Sequence, residues 1–302
     1  TWLPGTGLTL NVEAVILLIL FVKFVLIIVA VHVVFVAFPA VVALAYYLFN
    51  DFKSVVFSWP KTSRILSSLV IELRSSFALV LLRISSSVRR GGKPVLSLGA
   101  PGCPVLLVGG FLSGASSANP LHSKLRRAGY HHVYTLSLPY WSLEPREAAE
   151  LISEKVARIR QATGRDKVDI VAHGLGGLVA RYYVFMLDGE SCVRTLLTLC
   201  TPHHGSFFAR IMSFAVHPPG IKQMRPNSPF LEQLNLDEGR RTVVNIVSIR
   251  SDADCTVLPD KSAFLRSPAV NHAVENAGHM SVLFSDEVFR LIKKSLGAVS
   301  QD

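Results

Sequence analysis

Cysteine is scarce in this chain and falls into no pattern. Cys103, Cys192, Cys200 and Cys255 are scattered without a C-x-x-C pair. That spacing argues against a zinc knuckle or a disulfide framework, leaves the four as small buried apolar side chains, and fits a reducing compartment. Charge is sparse as well, at 17% of residues, and acid more so than base: 21 Asp and Glu face 31 Lys and Arg, for a formal net charge of +10. Residues 1–11 carry no charge at all. No internal repeat and no long low-complexity stretch is present, so neither a solenoid nor a disordered array is in view.

The basic excess is uneven. Residues 1–93 hold nine Lys and Arg against three Asp and Glu, while residues 94–302 hold 22 against 18. A basic face on a folded module suits nucleic acid, and basic residues beside an apolar run suit anionic lipid. The placement favours lipid, and no nucleic-acid partner is expected.

Val12–Phe49 is almost unbroken apolar sequence, interrupted only by Glu13, Lys23, His32 and Pro39. As one helix it would measure about 57 Å, against a hydrocarbon core of ~30 Å. It is too long for the apolar region of a secretory signal peptide, at ~7–15 residues. Residues 1–50 therefore read as a transmembrane segment. Either one helix crosses from about Lys23 to Phe49 with a kink near Pro39, or two short spans turn near His32–Pro39. Eight basic residues within Asp51–Lys93 place the chain beyond Phe49 on the cytoplasmic side of a single crossing. In residues 51–93, Leu66, Leu69, Val70, Leu73, Phe77, Val80, Leu81 and Ile84 recur at helical spacing, with Arg64, Ser67, Ser68, Glu72, Ser75, Ser76 and Arg83 on the other face. Such a helix lies in the headgroup plane or packs on a folded domain. Arg89–Pro94 reads as a linker.

From about Gly102 the pattern alternates. Strands are expected at Pro104–Val108, His132–Leu136, Val193–Leu199, Thr242–Ile249 and Ala269–Val274, and helices at Ser117–Ala128, Glu144–Thr163 and Ser281–Leu296. Strands separated by helices over residues 94–302 predict a mostly parallel sheet covered on both faces. At the centre stands Val168–Arg181: a buried strand, the sharp turn His173-Gly174-Leu175-Gly176-Gly177, then a helix from Leu178 to Leu187. This is the context of a nucleophile elbow, which exists to lift a serine hydroxyl clear of the sheet. Its tip is Gly174.

The chain here resembles the bacterial lipase/esterase branch of the α/β-hydrolase superfamily. The likeness rests on Val105–Phe111, the elbow, Leu199-Cys200-Thr201-Pro202-His203-His204-Gly205, Gln223–Leu231, Ser251–Pro259 and Gly278-His279-Met280. Some membrane-tethered members share the plan of an apolar segment before the domain. The resemblance implies an α/β-hydrolase fold with Asp254 as the acid (Asp252 as fallback) and His279 as the base, serving a nucleophile position that Gly174 occupies. It also implies an oxyanion hole from the backbone N–H groups of Phe111 and Leu175. Ser206–Asn235 reads as a cap over the pocket, with Phe207, Phe208, Met212 and Phe230 either lining it or packing as helix core. Gly109 stands where a histidine is common. Ser113, Ser206 and Cys200 are the other nucleophile types nearby, none on a strand-to-helix elbow. The pairs His131-His132 and His203-His204 do not suggest a metal, and no cofactor is expected.

Two functional readings result. One is a membrane-anchored, catalytically silent homologue that binds lipid or acyl groups, or serves as an accessory subunit meeting other membrane proteins through Val12–Phe49. The other is an active lipase or carboxylesterase at the membrane surface.

Overall fold

A computed structural model describes residues 19, 22–23, 37–46, 69–79, 81–82, 102–110, 118–139, 142–215, 217–236 and 238–297 of the chain. Among the described residues, helix precedes the sheet at 19 and 22–23, at 37–46 (α1) and at 69–79 with 81–82 (α2). Six strands come after them: β1 (Val105–Val108), β2 (Val133–Leu136), β3 (Val168–His173), β4 (Val193–Leu199), β5 (Asn245–Ser251) and β6 (Val270–Val274). They form one all-parallel sheet in the order β2-β1-β3-β4-β5-β6. Between them run α3 (Asn119–Arg127), α4 (Pro145–Thr163), α5 (Leu175–Met186), α6 (Phe207–Ala215), α7 (Pro219–Gln223), α8 (Pro229–Asn235) and the closing α9 (Asp286–Leu296).

A parallel sheet covered on both faces wants apolar central strands, as in β1, which reads VLLV and is buried at all four positions. On one face α4, α5 and α8 pack Ile152, Val156, Leu178 and Phe230 against Leu106 and Ile170; on the other α3 and α9 pack Leu121, Leu125, Val288 and Ile292 against Leu107 and Val171. Strand order reverses between β1 and β3, and the carboxyl ends of strands at such a reversal make the crevice where ligands bind in open α/β sheets.

Several boundaries differ from expectation, and the helix expected from Leu178 already begins at Leu175. The strand expected at Thr242–Ile249 begins at Asn245 and runs on to Ser251. The helix expected at Ser281–Leu296 is broken: a 3-10 turn covers Ser281–Leu283, and Ser285 then caps α9 by accepting from the Val288 N–H. Serine at a cap competes for backbone donors, and an unbroken apolar periodicity hides that stop.

The apolar amino-terminal run also differs. Among the described residues no helix is long and apolar enough to cross a membrane. Most of Val12–Phe49 lies outside the described residues, and so do the linker and the domain boundary near residue 94. Residues 37–46, expected within the crossing, instead turn Ala40, Val42 and Ala43 onto Leu258. Phe38 meets Phe208 at 6.0 Å between ring centroids, and Tyr46 meets Phe207 at 5.1 Å. The reason is local: α6 offers an apolar surface beside Leu258, and the last part of the run covers it.

Helix α5 starts so close to the loop after β1 that side chains are excluded. A Cβ on Gly176 would sit 2.5 Å from the Gly109 carbonyl oxygen, and one on Gly177 would collide with Thr201 Oγ1. Backbone cannot yield as a side-chain end can. Gly176→Ala should therefore cost about 1–3 kcal/mol, read as a lower urea midpoint with unchanged slope; an unaltered midpoint would mean that the loop gives way freely.

Candidate active site

Strand β3 ends in the buried His173, and the chain turns at Gly174 with φ 54° and ψ −125° before α5 begins at Leu175. An L side chain rarely adopts that φ, so the turn is strained for any residue but glycine. The Leu175 N–H is among the first donors of α5, which have no carbonyl within the helix to bond. Gly110 packs on the same corner: a Cβ there would come within 2.9 Å of the His173 carbonyl oxygen. Phe111 and Ser113 lie outside the described residues.

From the loop after β5, Asp254 reaches the same crevice. Its Oδ1 accepts from the Thr256 N–H (2.7 Å) and the Val257 N–H (2.9 Å), and its Oδ2 accepts from His279 Nδ1 at 2.8 Å. Asp254 is fully buried. Burial opposes its charge, but the His279 charge and these hydrogen bonds hold its carboxyl below the ordinary value. For His279 burial pulls the pKa down, yet the Asp254 charge and hydrogen bond leave it raised. Nδ1 is thereby committed to the carboxylate, and Nε2 points at the elbow. It lies 3.4 Å from where a Gly174 Cβ would stand. Asp252 is turned elsewhere, paired with Arg250.

Two further residues join the site that the motifs did not single out. His173 packs against His279 with ring centroids 4.6 Å apart and planes tilted by 46°, and its Nε2–H donates to the His279 carbonyl at 2.8 Å. Burial and the His279 charge lower its pKa to about 3, so it is held neutral. Glu72 of α2 reaches the loop on the far side of His279, accepting from the Met280 N–H at 2.5 Å and the Ser281 N–H at 3.0 Å. A signal for His173 existed, since it directly precedes the elbow tip. Glu72 had none, lying more than 200 residues from its partners along the chain.

Of the other nucleophile types, the two among the described residues are spoken for. Ser206 Oγ donates to the Thr256 carbonyl at 2.5 Å and accepts from the Phe208 N–H at 3.1 Å. Cys200 is buried, and burial with the Asp254 charge raises its thiol well above the ordinary range. The donor atoms of Cys200, Asp254 and His279 fall within 4.8 Å of one another, and two of them, His279 Nδ1 and Asp254 Oδ2, are joined by a direct hydrogen bond. His203 Nε2 faces Thr198 Oγ1 at 3.1 Å and His204 Nε2 faces Glu238 at 3.4 Å, so these two histidines brace loops. Phe230 is fully buried and stacks on Tyr182 in the core, which takes it away from the crevice; Phe207 and Phe208 cover α1, and Met212 is partly buried on α6.

Residues 102–280, more than half of the chain, match the family Lipase (class 2). The chain belongs to the class 2 lipase family. Within it, a triacylglycerol lipase of Pseudarthrobacter phenanthrenivorans is 32% identical over 114 residues, 35% of this chain and 35% of that one. One from Burkholderia plantarii is 32% identical over 114 residues, 35% of this chain and 31% of that one. This class 2 lipase chain thus spans about a third of the length of the curated relatives it matches. Among crystal structures, Aspergillus fumigatus lipase B superposes with a TM-score of 0.58 at 19% identity, over 68% of this chain and 56% of that one. The mature form of Bacillus licheniformis lipase BlEst2 gives 0.56 at 17% identity, over 68% and 96%. These likenesses carry the fold, which is that of the α/β-hydrolases.

Proposed function

We propose that this chain is a membrane-anchored class 2 lipase homologue whose hydrolase domain is catalytically silent and acts as a lipid- or acyl-binding module, or as an accessory subunit of a membrane complex. One observation carries the reading. Asp254 and His279 are assembled as acid and base, and Nε2 faces a glycine that has no proton to give. In this reading Gly174 holds the nucleophile position, and the N–H groups of Leu175 and Phe111 form an oxyanion hole that no longer receives a covalent intermediate. Phe207, Phe208 and Met212 line the acyl side of the crevice.

Anchoring is supported by the apolar run and by α2. Residues 12–36, which precede the part packed on α6, would span about 37 Å as a helix, enough for a ~30 Å core. Helix α2 shows Val70 and Phe77 to the outside, with Leu81 just beyond, and Arg74 among them. An apolar stripe with a basic residue suits the headgroup plane of a bilayer on the cytoplasmic side.

The intact acid–base pair favours a second reading, an active lipase or carboxylesterase that uses a hydroxyl outside the described residues, such as Ser113 in the loop after β1. Fluorophosphonate labelling of the purified, detergent-solubilised chain separates the two. The silent reading expects no adduct and no His279-dependent turnover of acyl esters. A stoichiometric adduct mapped to Ser113, with turnover lost in His279→Ala, would establish the active one.

A further inference from the structure

The periodicity of residues 66–84 puts Glu72 on the polar face of an amphipathic helix, where it should meet water. The structure rotates that helix so that part of its polar face turns inward, while Leu69 and Leu73 stay half-buried. Ser76 and Leu79 are buried beside Glu72, while Val70 and Phe77 are exposed. Leu79 and Leu82 join the core beside α9 and Leu69 packs near Leu258, so apolar burial accounts for part of the docking but not for Glu72. What the inward face gains is a pair of charge-assisted hydrogen bonds, from the Met280 and Ser281 N–H groups to the two oxygens of one carboxylate. The receiving loop brings its backbone close to the carboxylate: a Cβ on Gly278 would collide with Glu72 Oε2, so a larger residue there would push the glutamate end aside. The loop is braced a second time where the Gly278 N–H donates to Ser281 Oγ at 2.5 Å.

We propose that Glu72 is a positioning residue for His279: by gripping the two backbone N–H groups that come after the base, it makes helix α2 a built-in part of the acid–base site. The residue acts through the loop and touches no reacting atom. It comes from outside residues 102–280, so the hydrolase domain alone does not carry its full site. The proposal rests on the reading of His279 and Asp254 as base and acid, and it holds whether or not the site turns over.

The surroundings of His279 make the role specific. Asp254 faces it from the β5 loop, His173 from the end of β3, Cys200 from the end of β4 and Glu72 from α2, with Cys255 beside Asp254. Asp254 sets the ring through Nδ1 and His173 holds the His279 carbonyl, but neither binds the chain beyond it. Glu72 supplies that third hold. Burial raises its own pKa, a cost partly offset by the Met280 hydrogen bond and the His279 charge.

The test uses the full chain in detergent, as wild type, Glu72→Gln and Glu72→Ala, with NMR readouts independent of turnover. Gln keeps the size and one acceptor but loses the charge. Expected in both variants is amide exchange at Met280 and Ser281 faster by at least about tenfold, together with a His279 ring that titrates at lower pH. Glu72→Gln guards against the case in which the alanine variant fails to fold. If Glu72→Gln lowers thermal stability but leaves the His279 titration and the two amides unchanged, Glu72 merely docks the helix and the proposal is overturned. Loss of ester chemistry in every form would bear on the proposed function and leave this result standing.

Discussion

Gly174→Ser should turn this chain into an ester hydrolase. The added Cβ would sit 3.4 Å from His279 Nε2, 3.7 Å from its Cε1 and 3.9 Å from Gly110 Cα, all ordinary contacts. An Oγ on that carbon is then within hydrogen-bond reach of a base already oriented by Asp254. Restoring a nucleophile to an otherwise assembled triad can recover up to ~10⁶ in turnover, so a gain of about 10³ or more over the glycine form is expected. The elbow's φ of 54° is unfavourable for serine, at about 1–3 kcal/mol. The variant should therefore melt several degrees lower while gaining rate, a combination that a chance stabilising change does not produce. Initial rates on a short-chain p-nitrophenyl ester check it, with His279→Ala in the serine background expected to remove the gain. A folded Gly174→Ser protein that neither turns over ester nor reacts with a fluorophosphonate would show that the crevice lacks a working oxyanion hole.

The second large effect is acid lability. His173 and His203 are both fully buried and neutral, the first with a pKa lowered to about 3 and the second well below its ordinary value, in each case chiefly by burial. Unfolded histidines bind protons near pH ~6.5. Between that pH and about 3 the unfolded chain therefore holds more protons than the folded one, and stability falls as pH falls. From His173 alone the loss is on the order of 2–3 kcal/mol by pH about 4.5. Asp254 adds to it at lower pH, because a depressed carboxyl stabilises above its unfolded pKa and loses that contribution as pH drops through the folded one. Glu72 and His279 run the other way. Both are raised, so their contributions are fully present below their unfolded values and are lost as pH rises through the folded ones. Urea midpoints at pH 7 and 4.5 measure the balance, and His173→Gln should flatten the acid limb. If His173→Gln shows the same loss between pH 7 and 4.5 as the wild type, His173 takes up its proton without leaving the site.

Much of the hydrolase domain is legible one residue at a time. Val105–Val108 and Val168–His173 are short apolar runs closed by glycine turns, and Pro145–Thr163 carries its own start and stop, with Glu144 and Glu147 as a capping box and Gly164 in the left-handed conformation. Such signals are local, so sequence suffices to place them. Asp254 and His279 were reachable only through their order and motif context, since a lone aspartate or histidine in a loop is ordinarily a solvated or capping residue. Phe230 illustrates the opposite case. Helical spacing cannot say which neighbour an aromatic side chain meets, and Tyr182 claimed it for the core.

The amino-acid order by itself determined the alternating strands and helices, the glycine at the elbow and the uneven spread of charge, because each depends on residues within a turn or two of one another. Tertiary structure alone decided which way α2 faces, that residues 37–46 lie on α6, and that a glutamate, a histidine and an aspartate from three separate stretches surround one imidazole. Those outcomes depend on where unpaired backbone donors and uncovered apolar surface end up once the sheet has formed, and neither exists as a feature of the chain until it folds.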